Sequence, residues 1–404
     1  MRAYSTSISL ALAYLRERPL TTVLNVLLLG LGVGTIIALA LTLSQLEERM
    51  DRDAAGIDLV IGAKGSPLQL VLSTAFQIDI PTGNIAVADA AALIAKPVVK
   101  QAIPLALGDS HKTFRIVGTI PAYVQLYGAT LQAGRMWNMP LEAVVGADVA
   151  NMTGLAVGSV FAGAHGLTEG RGGGGHPDHP YTVVGVMKPT GSVIDRVILT
   201  ALESIWMAHD HGGKLSAAQD KEDAQEVTAY LIQYATPLAA ASFPRMVNAS
   251  SALQAASPAV EISRLFNLLG IGITALKGFA LVMILSAALG IFVGLMNALN
   301  ERRADLALLR LLGASPSTVF LTIVVQGAAL GLAGVILGLL LGHAGAEWIG
   351  ASLEKTHRTA LTGFTLIREE FGIVSGAMVL AIVAALFPAW RAYQGAVPEL
   401  LNRA

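Results

Sequence analysis

The sequence of 404 residues contains no cysteine and little charge. Without cysteine, a disulfide framework, a thiolate nucleophile, an iron–sulfur cluster and a cysteine-based zinc site are excluded. Charged residues make up 14% of the chain, against about 25% in a typical soluble domain. Basic residues number 27 and acidic residues 28, so no positive surplus indicates nucleic acid as a partner. These absences argue against a soluble protein.

Hydrophobic residues take the place of the missing charge: they make up 54% of the chain, and the mean hydropathy is +0.61. A helix needs about 20 apolar residues to cross a bilayer. Four uncharged stretches reach that length, Pro19 to Leu46, Gly278 to Asn300, Leu311 to Ala346 and Phe371 to Trp390. The first is too long for a signal-peptide core, and four such runs in one chain disfavour buried core helices. The sequence therefore predicts an integral membrane protein with four transmembrane helices.

Arginines indicate how these helices are oriented. They cluster before the first span and after the second, at Arg2, Arg16, Arg18, Arg302, Arg303 and Arg310. Positive charge is enriched in the cytoplasmic segments of membrane proteins. Both ends of the chain are therefore predicted to be cytoplasmic, and residues 47–264 are predicted to lie outside the cytoplasm.

Residues 47–264 have the pattern of a folded α+β domain, because short alternating or apolar runs recur between turn signals. Strands are predicted at Ile57–Gly62, Val98–Ile103, Phe114–Ile120, Tyr181–Met187, Val193–Leu199 and Val227–Tyr234. Helices are predicted at Val87–Ala95, at Leu202–Ala208 and after Pro237.

An apolar stripe precedes the second span, with Ile262, Leu265, Leu269, Ile273 and Leu276 among its members. Spacings of three and four predict one face of a helix. No helix breaker separates the stripe from the span, so we expect a single helix from Ser257 to about Arg303 that could carry displacement across the membrane. The stripe is predicted to form a stalk, packed against an outward extension of the first span in the same or a partner subunit.

Glycines four residues apart mark faces on which helices can approach closely. In the third span they form two series, Gly327 and Gly331, then Gly334, Gly338 and Gly342. General enrichment of glycine in membrane helices is the alternative explanation.

The segment after the second span carries a family resemblance. Its basic and acidic start, leucine-rich turn and terminal glycine include Glu301, Arg302, Arg303, Asp305, Leu309, Arg310 and Gly313. This pattern resembles the signature cytoplasmic segment of the FtsX-like/MacB-type ABC transporter permeases. The closing segments 387–392 and 398–401, the run 184–192 and the order of parts also resemble that family.

The resemblance implies a mechanotransmission-type permease of the bacterial inner membrane, without a fused ATPase and with a periplasmic or extracellular domain. That domain would be a porter-like lobe with a smaller lobe inserted at about 131–214. The implied partners are a cytoplasmic ABC ATPase in two copies, which binds ATP and Mg, and a second permease copy that completes a homodimer in the lipid bilayer. A periplasmic or outer-membrane component could join them.

The chain is thus divided into nine predicted segments. They are a cytoplasmic N-terminal segment (1–19), helix 1 (20–46), the extracytoplasmic domain (47–264), stalk and helix 2 (265–299), a coupling helix (300–316), helix 3 (317–350), a short outer loop (351–370), helix 4 (371–390) and a cytoplasmic tail (391–404).

The chain has no phosphate-binding loop of the pattern Gly-x4-Gly-Lys-Ser/Thr; neither 62–66 nor 172–175 fits it. We therefore expect ATP hydrolysis on a separate polypeptide, docked at residues 301–313, although an ordinary basic juxtamembrane helix is the alternative.

The expected function is a non-catalytic permease subunit that couples ATP hydrolysis to export or extraction of a substrate at the outer side of the membrane. The alternative is a regulator of an extracytoplasmic enzyme such as a cell-wall hydrolase. No catalytic motif for a conventional enzyme is evident.

Histidines are concentrated in two segments of the predicted outer domain, at His176 and His179 and at His209 and His211. Neutral imidazole is a good ligand for zinc, so these four residues are a candidate metal site. The alternative is that they belong to solvated loops, where histidine is simply polar.

Overall fold

The computed structural model describes residues 2–165, 179–209, 225–301, 308, 310–311, 315–357 and 361–394. The chain divides into two compact units. The first consists of Met1–Leu46 and Leu269–Ala404, and the second of Glu47–Leu268.

Five helices make up the first unit or run into it: α1 (Arg2–Glu17), α2 (Pro19–Asp53), α9 (Pro258–Glu301), α10 (Pro316–His357) and α11 (Arg368–Gln394). Helices α2, α9, α10 and α11 are long and apolar enough to cross a membrane, which confirms the four predicted spans.

Two helices are longer than their apolar stretches. Helix α2 continues through the charged residues 47–53, and α10 continues to His357, where a loop was expected from residue 351. Hydropathy reports only the part of a helix that lies in lipid. The hydrogen bonds of a helix are internal, so its backbone can continue past that limit into water.

The third span is packed through the glycine series that the sequence singled out. Gly334, Gly338 and Gly342 face Leu29, Val33 and Ile37 of α2, and Gly327 and Gly331 face Ala385 and Ala381 of α11. A Cβ atom on Gly338 would lie 2.6 Å from Val33 Cγ1 and 3.1 Å from the carbonyl oxygen of Gly30. The absence of a side chain therefore sets the distance between α10 and α2.

The second unit is built on a mixed sheet of eleven strands among the described residues. The strands of the unit are β1 (Leu59–Ala63), β2 (Ile85–Ala86), β3 (Val99–His111), β4 (Phe114–Thr119), β5 (Leu131–Gly134), β6 (Glu142–Val145), β7 (Val160–Phe161), β8 (Ala164–His165), β9 (Tyr181–Met187), β10 (Val197–Ala201), β11 (Glu226–Val227), β12 (Ala229–Tyr234) and β13 (Leu253–Ala256). The main path through the sheet is β13-β1-β12-β3-β4-β10-β6-β9-β5, and β2 and β11 form a separate pair.

Helices α3 (Pro67–Thr74), α4 (Val87–Ile94), α5 (Ala122–Leu126), α6 (Ala147–Thr153), α7 (Leu202–His209) and α8 (Ala239–Ser250) complete this unit. The predicted helices are confirmed, and so are five of the six predicted strands, Tyr181–Met187 with identical bounds and the other four with shifted ends. The strand predicted at Val193–Leu199 is wrong in its first half, because Val193–Arg196 is a 3₁₀ helix and β10 begins only at Val197.

The sheet is continuous through the position where an inserted lobe was expected. Strands β5, β6, β9 and β10 lie within 131–214, and β10 pairs with β4 in parallel, so the two parts share one sheet. The unit nevertheless has two apolar cores. One includes Ile61 and Ile232, and the other combines Ile116 with Val145 and Ile198. The second core thus draws on strands that precede residue 131.

An ion pair fixes the start of β6. Arg135 and Glu142 form a two-pronged ion pair, one contact of which, from Arg135 Nη1 to Glu142 Oε2, is 2.7 Å long. The backbone N–H groups of Asn138 and Met139 donate to the same carboxylate oxygen. These hydrogen bonds, first that of Arg135 and then those of the backbone, lower the pKa of Glu142 from 4.5 to about 2.

This shift predicts acid sensitivity. Because the folded-state pKa of Glu142 is depressed, its stabilisation is present above the ordinary value of 4.5 and is lost as the pH falls towards 2. We expect the melting temperature of the second unit to fall more between about pH 5 and about pH 3 in the unmodified protein than in Glu142→Gln. Scanning calorimetry of the full chain at both pH values measures this, and equal falls would contradict it.

The glycine packing gives a second prediction. Gly338→Ala should destabilise the first unit by about 1–3 kcal/mol, because the new methyl group overlaps Val33. Gly345→Ala in the same helix is the matched control, since its Cβ would meet its nearest neighbour, Ala38 Cβ, at an ordinary 3.6 Å. Thermal stability in detergent, followed by size-exclusion chromatography, compares them. Equal stabilities of the two variants would rule out a tight contact at Gly338.

Candidate functional site

The predicted coupling segment lies largely outside the described residues. Arg302, Arg303, Asp305, Leu309 and Gly313 fall there, whereas Glu301 ends α9 and Arg310 is helical and half-buried. Glu301 forms an ion pair with Arg18, just before α2. This pair joins the inner ends of the first and second spans and positions the chain where the coupling segment begins. The role of the segment in binding an ATPase stays a prediction.

The stalk residues lie on one continuous helix, α9, of 44 residues. Ile262 is buried, and Leu265 and Ile273 are half-buried. Leu269 and Leu276 are 45% and 49% exposed, so the described part of this one chain leaves much of the stripe uncovered. The packing partner of the stalk also stays a prediction.

Two of the four candidate zinc ligands lie outside the described residues. His176 and His211 lie outside them, His209 is the last residue of α7, and His179 precedes β9. Within the described ranges, no group of three or more histidine, aspartate or glutamate side chains is arranged to hold a metal. Zinc binding by the four histidines stays a prediction.

A buried junction that the sequence did not reveal lies at the outer end of α2, in residues that belong to the second unit. Arg196 Nη2 donates to Asp53 Oδ2 at 2.7 Å, and the two side chains are only 8% and 4% exposed. The hydroxyl of Tyr127 donates to the backbone oxygen of Asp53 at 2.9 Å. The end of α2 is therefore fixed both by a desolvated ion pair and by a backbone contact.

The loop at 188–192 positions Arg196. The carboxylate of Asp195 accepts from the N–H of Thr190 at 2.8 Å, from the N–H of Gly191 at 2.7 Å and from the hydroxyl of Thr190 at 3.0 Å. Gly191 has φ +74°, a left-handed conformation that glycine adopts without strain. Since Asp195 immediately precedes Arg196, the folded loop directs the arginine to Asp53.

The sequence marked the Arg196 side of this junction but not the Asp53 side. The run 184–192 is one of the segments that resemble the permease family, and Asp195 and Arg196 follow directly after it. Asp53, in contrast, is 143 residues from Arg196 and lies in a charged stretch that reads as ordinary solvated helix.

Family models match nearly the whole chain. A MacB-like periplasmic core domain matches residues 22–242, more than half of the chain, and an FtsX-like permease C-terminal domain matches 277–396. The chain therefore belongs to the FtsX-like/MacB-type family of ABC transporter permeases. It is an inner-membrane protein with an extracytoplasmic domain between its first two spans, and its class is generally non-catalytic and associates with an ATPase subunit.

Relatives match over shorter stretches. An uncharacterized ABC transporter permease of Methanocaldococcus jannaschii is 29% identical over 30% of this chain and 31% of its own length. The lipoprotein-releasing system transmembrane protein LolC of Xylella fastidiosa is 31% identical over 23% of this chain and 26% of its own length. The periplasmic region of MacB from Actinobacillus actinomycetemcomitans aligns with 55% of this chain and 98% of its own, at 12% identity and a TM-score of 0.35.

The buried junction predicts a specific pattern of stability changes. Arg196→Met removes the direct ion-pair partner of the buried Asp53 carboxylate and leaves Arg49 as the nearby cation, so it should cost about 3 kcal/mol, the lower end of the range for a broken buried pair, whereas adding Asp53→Leu should restore part of the loss. Arg245→Met is the control, because Arg245 lies at an exposed position of α8 and a surface substitution usually changes stability by no more than about 0.5 kcal/mol.

Urea unfolding of the second unit measures these free energies, followed by the fluorescence of the buried Trp137 in a chain whose other three tryptophans are replaced by phenylalanine. Two outcomes would show that the ion pair does not hold the junction. Either Arg196→Met is as stable as the control, or the double variant with Asp53→Leu is less stable than Arg196→Met alone.

Proposed function

We propose that this permease couples ATP hydrolysis by a separate ATPase to the export or extraction of a substrate at the outer side of the inner membrane. It does so by transmitting motion to its extracytoplasmic domain. The substrate does not pass between the spans of one chain.

The observation that carries the proposal is the length of two helices. Helix α9, of 44 residues, measures about 66 Å at 1.5 Å per residue, against about 30 Å of hydrocarbon. Helix α2 likewise passes from its apolar stretch into residues 47–53 without a break. A continuous hydrogen-bonded helix moves as a unit, so displacement at the inner end reaches the outer end.

The buried junction supports the same role. If the end of α2 were loosely attached, movement of the helix would be absorbed by side-chain rearrangement. The desolvated contact between Asp53 and Arg196 instead ties the helix end to the residue next to β10. Movement of α2 is thereby passed to the central strands of the sheet.

The active complex in this proposal contains two copies of the permease and two ATPase subunits. The exposed apolar residues of the stalk, such as Leu269 and Leu276, then meet the other copy. Relatives named for lipoprotein release make a lipoprotein one candidate substrate, beside lipids, peptides and other exported molecules.

The test is directed at the segment after α9. Reversing the charge of Arg303 and Arg310 together, with Arg303→Glu and Arg310→Glu, should weaken binding of the ATPase or uncouple its hydrolysis, because opposite charges at a contact then become like charges. Arg245→Glu, a reversal at an exposed position of α8 in the second unit, is the matched control. Copurification of the ATPase and ATP turnover in reconstituted membranes report the two effects. Unchanged assembly and unchanged substrate-dependent turnover in the double variant would overturn the assignment.

A further inference from the structure

A cavity of about 640 Å³ lies at one end of α10, beside the loop that joins it to α11. Its lining includes Ala344, Trp348 and Ala351 of the helix and Phe364 and Leu366 of the loop. This volume lies within the range of about 300–1,000 Å³ of small-molecule sites, and such sites are predominantly apolar. The first unit thus contains a cavity of ligand size that neither the coupling segment nor the stalk uses.

The loop is held in place by polar side chains from three spanning helices. Gln45 of α2 exchanges two hydrogen bonds with the backbone of Thr362, at 2.8 and 2.9 Å. Glu347 of α10 accepts from the N–H of Gly363 at 2.7 Å. Glu370 of α11 accepts from the N–H of Ile367 at 3.1 Å. The backbone on both sides of Phe364 is therefore fixed.

Close packing adds to this constraint. The ring of His343 contacts the carbonyl oxygen of Gly363, and a Cβ on Gly363 would lie 2.1 Å from the backbone oxygen of His343. The loop cannot move outward without breaking these contacts, and it cannot move inward because α10 is already in contact. Its conformation is set independently of anything in the cavity.

The described part of the loop, residues 361–367, presents large apolar side chains outward. Phe364 is 90% exposed and Leu366 77% exposed. Such side chains are unfavourable in water and favourable in an apolar phase. The contacts of Gln45, Glu347, Glu370 and His343 keep the loop from burying these side chains. An exposed position for them is favourable where the surroundings are themselves apolar.

Further apolar side chains of the same two spans are exposed. Leu340 and Trp348 of α10 are 64% and 73% exposed, and Phe371 at the start of α11 is 74% exposed. The loop joins the third and fourth spans, so it lies on the same side of the membrane as the domain between the first two. Tryptophan is enriched at the boundary between headgroups and acyl chains.

The polar side chains that line the cavity form hydrogen bonds with the backbone of the loop. Glu347 and His343 bond to its backbone, and Glu370 lies 3.3 Å from His343. Among the described lining residues none is a lysine or an arginine, so the walls fit a hydrocarbon chain better than a charged headgroup or a peptide. We propose that this cavity binds an acyl chain of a phospholipid from the outer leaflet. The proposal does not depend on the transport function.

The fluorescence of Trp348 provides the test, because bromine atoms on a bound acyl chain quench a tryptophan that they contact. Trp137, Trp206 and Trp390 are replaced by phenylalanine in the full chain, and the detergent-solubilised protein is titrated with phosphatidylcholine brominated on its acyl chains. We expect Trp348 emission to fall and to saturate at an equimolar ratio of lipid to chain. Unbrominated phosphatidylcholine should restore it.

The matched control keeps Trp390 as the sole tryptophan, since it is 51% exposed on the fourth span and outside the cavity. Its quenching should rise in proportion to brominated lipid without saturating. Ala344→Phe and Ala351→Phe fill the cavity from exposed positions and should abolish the saturable phase, whereas Phe364→Ala opens its wall and should shift the midpoint to higher lipid.

Three results would overturn the proposal. Quenching of Trp348 that never saturates, as at Trp390, would mean ordinary contact with bulk lipid. Quenching by a brominated lipidated peptide but not by phosphatidylcholine would assign the cavity to cargo. Absence of quenching, with disulfide cross-linking between copies that carry Phe364→Cys, would mean that a second copy covers it. The single-tryptophan titration decides among these even if a filled variant fails to fold.

Discussion

The exclusion of water from the hydrocarbon core is the constraint on which the first unit depends. Every backbone N–H and C=O must be satisfied inside its own helix, so side chains alone decide how helices associate. Apolar side chains are as stable in lipid as against one another, so the hydrophobic effect does not drive helix association. Van der Waals contact between closely packed helices supplies the attraction instead. The third span meets this requirement with glycines on two faces, one against Val33 and its neighbours and one against the alanines of α11.

Polar and ionisable groups are concentrated at the ends of the spans. Arg18 and Glu301 connect the inner ends, while Gln45, Glu347 and Glu370 organise the loop between α10 and α11. In the middle of the third span, glycines allow close helix packing. At the ends of the spans, charged groups fix how the helices and the loop are placed. This division lets the bundle be tight without placing an unpaired charge in lipid, where it would be costly.

The sequence predicted what depends on local pattern. Spans follow from the length of uncharged runs, and β9 follows from alternation, since Tyr181, Val183 and Met187 are buried and Thr182 is exposed. It also identified the glycine faces of the third span, because a four-residue repeat identifies a helix face without knowledge of its partner.

What it could not predict depends on contacts distant in the chain. The apolar run that starts at Val193 resembles a strand, yet Asp195 bonds back to Thr190 and turns that part into a 3₁₀ helix. No local pattern pairs Asp53 with Arg196. The cavity beside Phe364 was missed because the residues that hold its loop come from three helices. The coupling segment was found by family resemblance, and geometry adds only the pair of Arg18 with Glu301.

The order of strands in the sheet has a consequence for how the protein is made. Strand β1, at Leu59–Ala63, is paired on one side with β12 at Ala229–Tyr234 and on the other with β13 at Leu253–Ala256. Its neighbours are therefore synthesised long after it, and its edges stay open until nearly the whole domain has crossed the membrane. Such long-range pairing is slow and exposes strands to aggregation. The pairing of β1 is therefore completed only after residues 229–256 have been synthesised, immediately before α9.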